Sequence, residues 1–159
     1  MKKLLTLLLL MIPLTGAAME NKIKFDDETY NLSVNTDEGY KYYLKGENAD
    51  NWNSKITIKK LPANTNPVEA SANFAHQIQS EHPGASVLVY PDAGMVGYLV
   101  SINNGYEYNT VYFQKDSEFT YSKRFFGDDA RKNAIDFAEK YNKKYMELVN
   151  KTAPKIKVD

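Results

Sequence analysis

No cysteine occurs anywhere in the 159 residues, and that one absence removes several chemistries together. Disulfide staples, a thiol nucleophile, a thiolate metal site and the lipid-bearing cysteine of a lipoprotein are all excluded. Histidine is nearly as scarce, with only His76 and His82. Six residues apart, they sit about 240° from one another around a helix, and they lack the His-Glu-x-x-His spacing of a zinc site. His82 suits the C-terminal end of a helix, where a cationic imidazole complements the dipole, and His76 reads as a solvated helical position. Ser71, Ser80 and Ser86 lie near them without an orienting group, and neither a Gly-x-Ser-x-Gly elbow nor a Ser-x-x-Lys constellation is present. The eight glycines are scattered, so no phosphate cradle forms.

A charge excess is also missing, since 20 basic residues balance 20 acidic ones. Without a basic stripe, nothing points to nucleic acid or an anionic membrane surface. The acidic groups Asp26-Asp27-Glu28, Asp116-Ser117-Glu118 and Asp128-Asp129 do not match a calcium loop, and read as two hairpin turns and a helix cap. The sequence thus names no catalytic residue, no metal site and no cofactor.

The N-terminus carries the clearest address. Lys2 and Lys3 precede the apolar run Leu4 to Leu14, and Thr15-Gly16-Ala17-Ala18 supplies small residues for cleavage. The run is shorter than the roughly 20 residues needed to span a bilayer. Residues 1–18 therefore read as a secretory signal peptide, with a mature start at Met19 and the periplasm as destination. Removing it leaves 18 basic and 20 acidic residues, a net charge of −2. The mature chain is expected to be soluble, with no stable membrane insertion.

Residues 19–150 read as a single α+β domain, followed by a polar C-terminal tail, 151–159, that is expected to fray. Ile23 to Phe25, the turn Asp26-Asp27-Glu28 and Tyr30 to Val34 make an opening hairpin with Ile23, Phe25, Tyr30, Leu32 and Val34 facing inward. Tyr40 to Leu44 and Ser54 to Leu61 add two strands, separated by a polar stretch that holds the lone Trp52. Asn66 is an N-cap, Pro67 fits the first helical position and Glu69 sits three after the cap, so a helix runs to His82-Pro83-Gly84. Its buried stripe is expected at positions 68, 71, 72, 74, 75 and 78. Ala85 to Tyr90 is a strand, and Gly97 to Gly127 is a three-stranded meander. A second helix starts after Asp128-Asp129 and runs to about Asn150, with Ala130, Ala134, Phe137, Ala138, Tyr141, Tyr145, Leu148 and Val149 on one stripe.

Within the meander, an Asn104-Gly105 turn pairs Asn103 with Tyr106, Ile102 with Glu107, Val100 with Asn109 and Tyr98 with Val111. One face then carries Tyr98, Val100, Ile102, Val111 and Phe113, expected against the helices. The other carries Leu99, Ser101, Tyr106, Tyr108, Thr110 and Tyr112. With twelve tyrosines in the chain, Tyr106, Tyr108 and Tyr112 are the candidate binding ledge. The bland alternatives are an outer face stabilised by cross-strand pairs, or the core of another layer. Trp52 is either an anchor plugging one end of the core or an exposed recognition residue.

The element order is four strands, helix, four strands, helix, which implies an α+β sandwich: an antiparallel sheet of about six to eight strands with two main helices packed on it. This order, with Trp52, Ile56-Thr57-Ile58 and the Asn66-Pro67 helix start, resembles the Mog1/PsbP-like superfamily. The resemblance implies a binding module, adaptor or accessory subunit, and transfers no catalytic residue. The expected function is a non-enzymatic periplasmic protein that binds another protein through its open sheet face or loops, as an accessory factor or a toxin-neutralising immunity protein. A small-ligand binder with an aromatic-lined cleft is the alternative, and a hydrolase using His76 or His82 a third reading. Composition does not speak to oligomeric state.

Overall fold

A computed structural model describes residues 20–156. The expected signal peptide and cleavage site, within residues 1–19, and residues 157–159 lie outside the described residues. Eight strands and two helices follow the expected order: β1 (Lys22–Phe25), β2 (Glu28–Thr36), β3 (Gly39–Tyr43), β4 (Ser54–Lys60), α1 (Pro67–Glu81), β5 (Ser86–Tyr90), β6 (Met95–Ile102), β7 (Gly105–Phe113), β8 (Ser117–Phe126) and α2 (Ala130–Thr152). The strands form one antiparallel sheet in the order β1-β2-β3-β4-β8-β7-β6-β5. Two four-stranded meanders are thus joined at the centre by β4 and β8, and the fold is α+β.

Local chemistry explains the ends of these elements. Asp26 and Asp27 both adopt left-handed backbone (φ 50° and 62°), as a tight two-residue hairpin turn between β1 and β2 demands. The Asn66 side chain accepts hydrogen bonds from the Val68 and Glu69 amides, and Pro67 opens α1. The first helix buries Ser71, Ala75 and Ile78 but leaves Val68 exposed, correcting one position of its expected stripe.

The β6–β7 register differs from the expected one by two residues. Ile102 pairs with Gly105, Val100 with Glu107, Tyr98 with Asn109 and Val96 with Val111. Asn103-Asn104 is the turn, with Asn104 supplying the left-handed residue (φ 62°). Gly105 serves a different purpose: a Cβ there would lie 2.2 Å from the Phe125 carbonyl oxygen, so β8 approaches too closely for any side chain. Because the side-chain period of a strand is two, a shift of two leaves every residue on its expected face.

Each face of the sheet carries one helix. On one side α1 packs Ala75 and Phe74 against Val96, Val111 and Phe113. On the other, α2 covers the larger core, in which Ile23, Phe25, Tyr42, Ile56, Tyr108, Phe119 and Tyr121 meet Ala134, Tyr145 and Val149. The Tyr121 and Tyr145 rings stack at 4.7 Å with 10° between planes, and Phe25 lies 4.9 Å from Tyr121. Twelve tyrosines in one chain are thereby explained in part as packing material.

The C-terminal segment does not fray where it is described. After α2 a 3-10 turn, Ala153–Lys155, buries Ala153, packs Ile156 on the core, and accepts a 3.3 Å hydrogen bond from Gln114 Nε2 at the Ala153 carbonyl. A buried alanine and one isoleucine make no periodic pattern, so the sequence read as a loose tail.

Candidate functional site

The tyrosine ledge is closed. Tyr108 is 1% exposed beneath α2, edge-on to Phe137 at 5.3 Å, and Tyr106 and Tyr112 are half-buried against the same core. The expected division of faces holds, but both faces carry a helix, because the apolar stripe of α2 needs its own sheet surface. Tyr108 donates its hydroxyl to Asn142 Oδ1 at 2.9 Å and shares a 2.7 Å hydrogen bond with Thr110 Oγ1. Burial pushes its phenol up to about 12. This is a satisfied structural tyrosine.

Trp52 is 3% exposed, which fits the anchor rather than the recognition residue. Its ring centroid lies 3.6 Å from the Arg124 guanidinium carbon and 4.0 Å from Lys55 Nζ. Arg124 in turn donates through Nε to Glu107 Oε2 at 3.1 Å. His76 and His82 are both exposed, and His82 caps the end of α1 through its backbone amide. Among the described residues no three His, Asp or Glu side chains converge as a metal site would require.

The register instead assembles a polar surface that sequence spacing does not reveal. On the α1 side of the sheet, Tyr98, Asn109, Ser122, Lys55 and Tyr43 stand in one row across β6, β7, β8, β4 and β3. The next row runs Val96, Val111, Thr120, Thr57, Lys41, and the one after it Phe113, Glu118, Lys59, Gly39. The second and third rows change from apolar to polar as they leave the strands that α1 touches, which are β5, β6 and β7, whereas the first is already polar at buried Asn109 and ends on buried Tyr43. Among the described residues no helix packs on this face over β8, β4 and β3.

The area beyond α1 contains a recess of about 270 Å³ whose walls include Glu38, Gly39, Lys41, Thr57, Lys59 and Glu118. Lys41 and Lys59 are exposed, while Glu118 sits low beside Thr120, whose hydroxyl donates to Glu118 Oε1 at 3.2 Å. Burial pushes the Glu118 carboxyl up, against the pull of Lys59 and the Thr120 hydrogen bond. Burial likewise lowers Lys55, opposed by the nearby Glu107. Asn109, 1% exposed, accepts a 2.6 Å hydrogen bond from Ser122 while its Nδ2 has no partner. With Lys41, Lys55, Lys59 and Arg124 against Glu38, Glu107 and Glu118, the surface keeps a basic excess of one, and its exposed lysines suit hydrogen-bonding and ionic contact with an acidic partner.

Two further concavities flank α2. One, of about 280 Å³, lies between α2 and the β5–β6 edge, with Leu88, Gly97, Leu99, Tyr108 and Ile135 among its walls. The other, about 880 Å³, lies between β1 and the end of α2 and includes Lys22, Lys24, Lys151 and Lys155. No helix among the described residues is long and apolar enough to cross a membrane.

Comparison with curated proteins returns no match. Among solved structures the chain is similar to the solution structure of cyanobacterial PsbP (CyanoP) from Synechocystis sp. PCC 6803, at 10% identity over 84% of this chain and 91% of that one, with a TM-score of 0.29. That likeness concerns the PsbP side of the resemblance drawn from element order, and is too remote to bear on the site. A protein-family model matches residues 17–153, and the chain belongs to that family.

Proposed function

We propose that this is an exported, non-enzymatic protein that works in the periplasm by holding another protein against the uncovered sheet face of β3, β4 and β8. An accessory factor and an immunity protein that neutralises a delivered toxin are the two roles it fits. The single observation that supports the reading is the change along two of the three cross-strand rows from apolar, under α1, to charged and hydroxyl-bearing, where Lys41 and Lys59 stand exposed. Such a surface favours a partner with a complementary acidic patch, since like charges across an interface cost several kcal/mol. The signal-peptide pattern of residues 1–18 supports the compartment. The small-ligand alternative draws less support, because the 280 Å³ groove is smaller than the ~300–1,000 Å³ of typical ligand pockets. The 880 Å³ concavity beside β1 is lined chiefly by charged side chains, with Phe25 as its one aromatic, and is not an aromatic-lined cleft.

The test uses the chain from Met19 as bait in a periplasmic extract, beside the double variant Lys41→Glu/Lys59→Glu. The proposal expects a protein that the wild type retains, that salt releases and that the variant loses while keeping its melting temperature. Retention of the same protein by the variant refutes the site. A co-purified small molecule with no protein refutes the function. Hydrolysis abolished by His76→Ala or His82→Ala would favour the third reading.

A further inference from the structure

Strand β5 ends the sheet, and nothing among the described residues pairs with its outer edge. Proteins usually blunt such an edge with lysine, an internal proline, a bulge or a covering element. Ser86-Val87-Leu88-Val89-Tyr90 has none of these within its length, and its pairing with β6 is regular throughout. Leu88 is 54% exposed, and Val89 and Tyr90 are each 40% exposed. Gly97 stands opposite Leu88 and carries no side chain, so the α2 side of Leu88 opens into the groove walled by Leu99 and Ile135. Ile135 is itself among the exposed large hydrophobics.

We propose that β5 pairs antiparallel with β5 of a second copy of this chain, about a two-fold axis through Leu88 perpendicular to the sheet. The strand is self-complementary about that residue. Leu88 would face Leu88 of the second copy on the α2 side, and Val87 would face Val89 on the α1 side, both favourable apolar cross-strand pairs. The five residues carry no charge, so self-pairing never sets like charges opposite one another. Pro91 follows at once and lacks a backbone donor, which confines the ladder to this strand. The contact is isologous and closes at two copies, so it makes a dimer rather than a fibre. Five residues of ladder bury less than the roughly 1,200 Å² of stable interfaces, and the dimer is therefore concentration-dependent. It leaves the basic face of β3, β4 and β8 free, and stands or falls separately from the function proposed above.

Sedimentation velocity of the chain from Met19 over a wide concentration range tests the proposal. The wild type should move from one-chain to two-chain mass as concentration rises. Leu88→Lys, which opposes two like charges at the axis, should remain a monomer with unchanged circular dichroism. Leu88→Glu should also be monomeric alone, and mixing it with Leu88→Lys should restore a dimer containing one of each. A wild type that stays monomeric at every concentration overturns the proposal. So does a Leu88→Lys protein that still dimerises, or a mixture that fails to pair.

Discussion

Tyr145, on α2, donates its hydroxyl to Asp26 Oδ2 at 2.5 Å, binding the last helix to the first hairpin turn across 119 positions of sequence. Lys144 reaches the other carboxylate oxygen at 2.5 Å. Burial alone would push the Asp26 carboxyl up, but the hydrogen bonds from Lys144 and Tyr145 and the lysine charge outweigh it and hold it below its ordinary value of 3.8. A depressed folded-state pKa means that the fold favours the ionised form. The stabilisation is complete above that ordinary value and is lost as pH falls through the folded pKa. Asp26→Asn, which tolerates the same left-handed backbone, should melt lower than wild type at pH 7, with the gap closing as pH falls below the ordinary value of 3.8 and through the lowered folded-state pKa. A gap of constant size from neutral to acid pH, followed by thermal melts, would contradict this linkage.

Tyr108→Phe tests whether the tyrosine beneath α2 is structural. The variant keeps the ring against Phe137 and removes the hydroxyl that serves Asn142 and Thr110. Leaving buried polar partners unsatisfied should cost about 1–3 kcal/mol in chemical denaturation. Capture of any protein partner should be unchanged. Loss of capture without loss of stability would reinstate the tyrosine as a contact residue.

Trp52 is the only tryptophan, so its fluorescence reports on the loop ahead of β4 without ambiguity. Buried and flanked by Arg124 and Lys55, it should emit at short wavelength, resist iodide and acrylamide, and shift red when the protein unfolds. Trp52→Ala should destabilise by roughly 3–5 kcal/mol, in line with other buried aromatic deletions. Free access of quenchers to the native protein would argue against the anchor.

Glu118 gives the opposite pH behaviour to Asp26. Its folded-state pKa is raised by burial, so folding disfavours the ionised form. The resulting penalty is absent below its ordinary value of 4.5 and grows as pH rises to the folded pKa. Glu118→Gln keeps an acceptor for the Thr120 hydroxyl and should therefore melt higher than wild type at pH 7 but not at pH 4. Equal melting temperatures at both values would show that Lys59 offsets the burial.

Gly39 begins β3 with φ 148°, and a Cβ there would meet the Ile58 carbonyl oxygen at 2.1 Å. Gly39→Ala should cost more than the ~1 kcal/mol of an ordinary glycine replacement, because the clash is with backbone that cannot rotate away. Urea titrations measure it, and a loss of under ~1 kcal/mol would mean that β3 and β4 separate easily at that end.

Much of the fold was legible because its signals are local. Asn66-Pro67 starts α1, Asp26-Asp27 turns the first hairpin, and strict alternation assigns Ile56, Ile58, Tyr106 and Val111 to their faces. The two-residue error in the β6–β7 register arose because Gly105 answers to Phe125 on another strand rather than to its own turn. The candidate site was not legible at all. Lys41, Lys59 and Glu118 come from three strands, and only the β3–β4 and β4–β8 pairings make them neighbours.

What this sequence determined by itself was therefore the list of elements, their order, the Asn66 cap of α1 and the two faces of most strands, since these follow from contacts between residues a few positions apart. It did not determine that the Asp129 side chain leaves α2 uncapped, or that a bulge between Leu32 and Val34 turns Val34 away from the face of Tyr30 and Leu32. Tertiary structure alone decided that a helix packs on each face, that Tyr108 is floor rather than ledge, that β5 is an edge and that Ala153 to Ile156 pack on the core. Those outcomes depend on pairings such as Ile56 with Tyr121 and Tyr145 with Asp26. Their partners lie many tens of residues apart, and closing such distances leaves no periodic mark on the chain.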